Sequence, residues 1–553
     1  MNIFRLIFSS SFLLLSACLF GQQQNSIIHF DMIPAGDPVL EDIRFISMET
    51  GKAFLSFTPP LAPAEVKIFL DSIDESELSQ NAADAYFRIL NRLSINAPPL
   101  SYSIGLFSVF VNANAALEGK VKFNSDISWY PLYSEVPAFI SVPINIYFSD
   151  IIQLYVEPSY TIRNTAYNSG SAGVNIPTKY DSYNDDMPLR AYIALGGSFW
   201  NFQLGRDRLY WGTAHSGSLS FSGNSEFFDF ARFSLFSSIF KYSFIINQMP
   251  LFLEKELFTE EFIDWNAPDN LMRTTERYFY LHRIDIKLFN ILSIGIMEGV
   301  LAGNSSLEIR YLNPLVIFHG FFSWGDYDNW YKGDDPAPDD EDYMNGSFLA
   351  VEINLNIIKN LSIYAQFIMN DLTSWDEQKM ASDRIRPNGL GFLAGVQYSH
   401  SINSWGALYY IEFIHTDPYL YMLSSPYASF IQMNTNRNYY YLGYPRDTIA
   451  LILGAVFFDR DILNFSGNFS WIASGSHSRL VWDWKRGADA YNEKTPTGTV
   501  EHKFILSLAA QWKFLSFLVF KAELTGVFSH NNNNKKDNNQ FGGQTKLSVN
   551  FQY

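Results

Sequence analysis

The sequence predicts an all-β transmembrane barrel of about 18 antiparallel strands, within a range of about 16–18, carrying a small N-terminal α-helical plug. Three observations lead there. From about Gly105 onward apolar residues recur at every second position, aromatics make up 17% of the 553 residues, and beyond the N-terminal leader no long apolar run occurs. A membrane-crossing helix needs about 20 consecutive apolar residues. A membrane-embedded reading of this chain therefore has to use strands closed on themselves, which satisfy their own backbone polar groups in lipid.

The last stretch, KLSVNFQY at 546–553, shows the pattern most plainly. Leu547, Val549, Phe551 and Tyr553 fall on one face of an extended strand and Lys546, Ser548, Asn550 and Gln552 on the other. Composition agrees: 49 Phe, 32 Tyr and 12 Trp accompany only 17% charged residues. With 39 basic against 56 acidic residues, a net charge of −17 and no basic stripe, nucleic acid is excluded as a partner, since phosphate binding draws on Lys and Arg.

Residues 1–21 read as a signal peptide, with Arg5 in a short n-region and an apolar h-region over 6–15. Its exit has two readings. Leu15-Ser16-Ala17-Cys18 resembles a lipobox that would leave Cys18 acylated, while Leu19-Phe20-Gly21 before Gln22 suits ordinary cleavage. Cys18 is the single cysteine, so neither an intrachain disulfide nor a Cys-based zinc site is available.

Residues 22–98 form the helical region. A helix is expected over 38–48. A second starts at Pro63, where the missing N–H does no harm, with Val66, Phe69, Leu70 and Ile73 at helical spacing. A third covers 77–93, burying Tyr86, Ile89, Leu90 and Leu93. Such short helices make only a marginal core alone, so they are expected to dock, either as a plug at the periplasmic mouth or as a separate periplasmic domain.

Residues 99–553 form the barrel. The clearest strands are 348–357, 361–369, 390–398, 407–413, 449–457, 465–471, 504–512 and 518–528, the last with Lys521 and Glu523 looking inward. Fainter ones are 106–117, 139–148, 152–162, 189–199, a short run into Arg206, 228–236, 240–248, 278–288 and 292–300. Within 278–288, Arg283, Asp285 and Lys287 are expected inward and Ile284, Ile286 and Leu288 outward. An unplugged lumen of this circumference would hold water. The Gly/Ser/Asn/Asp-rich 164–187, the acidic 333–343 and the Asn-rich 530–543 read as solvated loops.

Nothing in the sequence spells an enzyme's constellation or a bound cofactor. The nine His are scattered without H-E-x-x-H or metal-ligand spacing, and no G-x-S-x-G elbow occurs. Arg206, Asp207, Tyr210 and Trp211 cluster at a strand end, where charge facing lipid would be costly. They brace barrel and plug, or else Tyr210 and Trp211 stack on a sugar whose hydroxyls meet Arg206 and Asp207. Trp324, Tyr327, Trp330 and Tyr331 are glycan contacts if extracellular, or girdle residues at the membrane interface.

IPAGDPVLEDI at 33–43, PPLAPAEV at 59–66, the segment GRDRLYWGTAHSGSLSFSGNSEFFDFARFS at 205–234 and EIRYLNPLVIFHG at 308–320 resemble, in that order, the Wzi-like capsule assembly proteins, and 389–421 continues the likeness. The resemblance implies a barrel in the cell outer membrane of a diderm bacterium, closed by an N-terminal helical bundle from the periplasm and acting as a lectin for capsular polysaccharide. The acidic and Asn-rich loops depart from the family's pattern. On this reading the partners are surface polysaccharide, outer-membrane lipids with lipopolysaccharide or its equivalent, and the barrel assembly machinery. A porin-like channel for small solutes is the competing expectation.

Overall fold

The computed structural model describes residues 30–94, 98–124, 135–186, 188–223, 227–249, 277–303, 307–313, 345–372, 385–423, 425–433, 439–459, 462–480, 482–485 and 487–552, with positions 127, 225, 251–252 and 274–275 besides. Cys18, Trp324, Tyr327, Trp330, Tyr331 and the acidic 333–343 lie outside the described residues.

The helical region holds α1 (Val39–Thr50), α2 (Pro63–Leu70) and α3 (Gln80–Leu93). α1 stops at Gly51, which takes the left-handed conformation (φ 70°) open to a residue without Cβ. α2 opens on Pro63, and the Glu65 carboxylate accepts the Ala62 N–H at 3.0 Å. α3 begins later than its spacing suggests, because Glu75–Glu77 forms a 3-10 turn after Asp74 and the helix waits for Ser79, whose hydroxyl accepts the Ala82 N–H. Ile43, Ile46, Phe54, Val66, Phe69, Leu70, Tyr86 and Ile89 fill the space between the three.

Among the described residues of the remaining chain, beside two separate two-stranded ribbons, 23 segments hydrogen-bond into one sheet. Six of these are halves of three long strands, each interrupted for two residues at 112–113, 142–143 and 157–158. Pro143 and Pro158 remove a ladder donor at two of the breaks, while their carbonyls keep accepting from Asn112 and Val142 at 2.9 Å. Leu100–Ile104 and Ala172–Val174 lie against the first long strand, outside the main circuit. Eighteen strands remain, and their antiparallel pairings return to the start. The last, Gln540–Gln552, pairs with Asn114–Phe123 from Gly543↔Phe123 to Gln552↔Asn114, and the first strand's other side pairs with the second.

Alternation sorts the two faces as the sequence predicts. Ile284, Ile286 and Leu288 stand outward at 41, 42 and 39% exposure, while Arg283, Asp285 and Lys287 point in at 2, 1 and 8%. The outward set continues around the sheet through Ile353, Phe392, Ile411, Leu453, Phe469, Leu506, Leu524 and Leu547. This belt is the surface that lipid would cover.

At one end short turns join the strands. Asn290, Asn360 and Asn403 occupy left-handed positions (φ 60, 71 and 54°) that asparagine tolerates well. The helical region docks on these turns. Ala53 N–H donates to Asn290 O at 2.7 Å, Asn360 N–H to Met48 O at 2.6 Å, and the Asn81 amide to the carbonyls of Asn403 and Trp405. Deeper in, the ion pair Lys241–Glu65 joins a strand to α2 at 1 and 5% exposure, and Lys241 also donates to the Thr58 hydroxyl at 2.8 Å. Ser56 donates to Asp285 at 3.0 Å, while Arg283 pairs with Asp285 at 2.6 Å and with Glu352 at 2.9 Å.

Alternation does not disclose what the inner face meets, and one expectation about a loop is corrected. The inner face is not uniformly wet: Phe228, Phe230, Phe279, Leu281 and Phe348 point inward and join a buried apolar cluster, because inserted loops supply apolar partners there. The 164–187 stretch is not merely solvated. Asn175 is fully buried and its amide donates to Ala116 O and Pro137 O, while Tyr167 packs with Val136 and Ile162.

Glu65→Ala is expected to lower stability by about 3–5 kcal/mol, because it strands the Lys241 ammonium in the interior. The double replacement Glu65→Leu with Lys241→Met should recover most of that loss, read as thermal midpoints of the detergent-solubilised protein.

Candidate functional site

At the end away from the helices the strands are joined by long connections, and among the described residues three of these fold back over or into the lumen. The first, 208–227, leaves the strand Trp200–Asp207 and reaches the helical region, where Gly212 N–H donates to Phe57 O at 2.8 Å. Gly212 sits at φ 137°, and a Cβ there would fall 2.1 Å from the Gln366 amide nitrogen. Inward carboxylates hold the loop's backbone: Glu352 accepts from Thr213 N–H at 3.0 Å, and Glu412 from the N–H groups of His215 and Ser216. Gln366 accepts from Leu219 N–H at 2.9 Å.

The second connection, 417–447, stacks on the first. Tyr444 N–H donates to Ser218 O, and Tyr421 O–H to Leu219 O, both at 2.8 Å. Arg277, fully buried, holds it by donating to the carbonyls of Tyr427 and Ser429 at 3.1 and 2.8 Å. Leu209, Trp211, Leu219 and Phe221 of the first loop and Tyr419, Leu420, Tyr421, Met422 and Phe430 of the second meet the inward phenylalanines in one core.

The four residues singled out at this strand end divide. Arg206 forks onto Asp229 at 2.8 and 2.9 Å, donates to Asp186 O and lies 3.8 Å over the Phe227 ring. Asp207, fully buried, accepts from Arg190 at 2.8 Å and from the Arg208 N–H at 2.8 Å. Trp211 is fully buried edge-on to Phe221 at 5.1 Å, with the Arg283 guanidinium 5.7 Å from its ring. Tyr210 donates to Ala214 O within its own loop. Arg206 and Asp207 thus sit in wall ion pairs and Trp211 in the loop core.

Two of the open spaces among the described residues have charged linings that include none of these four. Along the wall formed by the first three strands and the last four, beside the start of the first inserted loop, lies a cavity of about 670 Å³. Its lining includes Glu135, Glu157, Arg190, Arg208, Gln511 and Lys521, and Lys521 points inward as its position in the alternation requires. The second, about 310 Å³, lies at the loop end between the turn after Thr416 and the third connection, 475–500, with Asp417, Tyr419, Tyr491, Glu493 and Lys494 in its walls. No sequence pattern marks this pocket, because its walls come from three separate segments, at 388, 415–419 and 490–495, that only the fold brings together.

A buried polar cluster underlies it. His477 turns one ring nitrogen to Asp483 and the other to Glu493 at 3.0 Å; Arg446 also meets Asp483, and Tyr419 donates to Glu493 at 2.8 Å. With a carboxylate on each nitrogen, both partners favour the imidazolium form. Burial alone pulls its pKa down, but the hydrogen bond and charge of Asp483, aided by Glu493, outweigh that and the opposing Arg446, leaving His477 above the ordinary 6.5. Burial pushes the neighbouring Asp417 carboxyl up.

The arrangement is that of an outer-membrane β-barrel, stoppered by helices at its short-turn end and by inserted loops above them. Comparison with known proteins agrees. The family model for the capsule assembly protein Wzi matches residues 138–444. Among solved structures, Wzi of Escherichia coli, an outer-membrane protein involved in group 1 capsule assembly and described as a carbohydrate-binding β-barrel, superposes with a TM-score of 0.56 at 13% identity, covering 94% of this chain and 98% of that one. OccD3 of Pseudomonas aeruginosa aligns at a TM-score of 0.39 and 9% identity over 80% of this chain and 91% of its own. No curated protein matches the sequence. The chain belongs to the Wzi family of capsule assembly proteins.

Because the His477 pKa is raised in the fold, its contribution to loop stability is complete below pH 6.5 and disappears as the pH rises through the folded value. An NMR titration of the imidazole is expected to give a midpoint above 6.5, brought down by Asp483→Asn; an unshifted midpoint in the parent would contradict the cluster.

Proposed function

We propose that this protein holds surface polysaccharide at the outer face of an outer membrane, without catalysis and without a cofactor, with its helical end in the periplasm and its long connections outside. Barrels of this kind carry short turns on the periplasmic side and longer loops outside, which supports that orientation. The observation that carries the reading is the stoppered lumen. A ligand meets folded, polar loops with an open pocket, and the core of Trp211, Phe221, Tyr421 and Phe430 lies beneath them. Family membership points the same way, since the E. coli structure is described as carbohydrate-binding. Repeated weak contacts along a polymer would accumulate into retention. The aromatic residues Trp324, Tyr327, Trp330 and Tyr331 belong to this proposal as further glycan contacts, and Arg206, Asp207, Tyr210 and Trp211 as the frame that fixes the loops. Outer-membrane lipid and lipopolysaccharide against the apolar belt, and the barrel assembly machinery during insertion, complete the partners of this reading.

One observation favours a second reading, a channel: the cavity of about 670 Å³ beside the plug is lined by charged side chains. Two measurements decide. Deleting the gene in a strain that displays a surface polysaccharide should release that polymer into the medium, and the purified protein in planar bilayers should stay nearly silent. Full retention together with steady porin-like conductance would replace the first reading by the second.

A further inference from the structure

We infer that the loop-end pocket between the turn after Thr416 and the third connection is a subsite for one uncharged hexose unit of the glycan, and that it discriminates against uronic acids. The inference rests on the proposed glycan-holding role and adds where, and with what chemistry, one sugar is held. Two carboxylates in the walls are fixed from behind. Asp417 accepts the Leu390 N–H at 3.1 Å, and Glu493 is held by the Tyr419 hydroxyl at 2.8 Å and His477 at 3.0 Å. Carboxylates fixed in this way accept hydrogen bonds from sugar hydroxyls, and such charge-assisted bonds are about twice as strong as neutral ones.

A uronate carboxylate can only accept, and would meet the acceptors Asp417 and Glu493 where a neutral sugar's hydroxymethyl group can donate; among the described residues Lys494 is the one lysine or arginine in the lining, and His415 lies 3.9 Å from Asp417. Tyr491, half-buried, presents a ring on which an apolar sugar face can lie. The walls are also prearranged: the His477–Asp483–Arg446 cluster ties the third connection to the second, so little ordering remains to be done on binding. The neutral hexose could come from the surface polymer or from the outer core of lipopolysaccharide, which offer the same hydroxyl chemistry.

The test uses the full-length protein in detergent micelles and titration calorimetry with neutral hexose oligosaccharides of several linkages, with oligogalacturonate of matched length, and with lipopolysaccharide core oligosaccharide. At least one neutral oligosaccharide is expected to bind and oligogalacturonate to bind at least tenfold more weakly. Tyr491→Ala and Asp417→Asn should each weaken the neutral ligand about tenfold, with heat-modifiable gel mobility showing that both variants fold. Competition by the core oligosaccharide would assign the pocket to lipopolysaccharide, and its absence to the surface polymer. Equal binding of the uronate, no binding of any neutral oligosaccharide, or wild-type affinity in both variants overturns the inference. Polymer release on gene deletion that either variant restores to wild-type level refutes the pocket alone; no release on deletion refutes the role on which it rests.

Discussion

Charged and amide side chains on the inner faces of the strands cannot be left without partners in a space this enclosed, and most of the structure follows from how they are satisfied. Lys241, Arg283, Asp285, Glu352, Gln366 and Glu412 project inward from the wall, nearly or fully buried. Their partners are Glu65 and Ser56 from the helical region, one another, and the backbone N–H groups of 213–219. A buried charge without a partner costs several kcal/mol. The helices and the first inserted loop are therefore the groups that make the inner wall's polarity tolerable, and wall and plug have to form together.

Filling the lumen has a consequence for the surface. Once 208–227 occupies the middle of the barrel, the second connection has an apolar floor to lie on, and Arg277 locks it down through backbone carbonyls. The third connection then rests on the second through Arg446, Asp483 and His477. Order is passed upward layer by layer from the short-turn end. These three connections are thereby ordered in advance of any ligand, which suits the proposed holding of a polymer.

Strand positions were legible because the period-two rhythm is physical: one face meets lipid or its equivalent, the other does not. The strands at 228–236 and 240–248 have the expected bounds, and Arg283, Asp285 and Lys287 turn inward as their alternation demands. The apolar rhythm runs straight through the breaks at Pro143 and Pro158, whose local signal is the proline itself, which takes a donor from the ladder. Inward apolar residues such as Phe279 and Phe348 were hidden, because alternation tells which side a residue faces, not what waits there. The polar stretch 164–187 looked solvated because Asn175 and Tyr167 find their partners only after the chain has turned back on the first strand. The strand-end group was legible as a cluster of charges and aromatics, whereas the loop-end pocket depends on a meeting of distant segments that no local signal records.

The central claim is that plug and wall are one cooperative unit joined through buried polar contacts. Amide hydrogen exchange on the reconstituted full-length protein tests it most directly, by comparing α1 and α3 with the strands that carry Lys241, Asp285 and Glu352. The account predicts that the helices exchange only with the global opening that also exposes those strands. Rapid exchange of the helices while the strands stay protected would show a separately unfolding appendage and would contradict it.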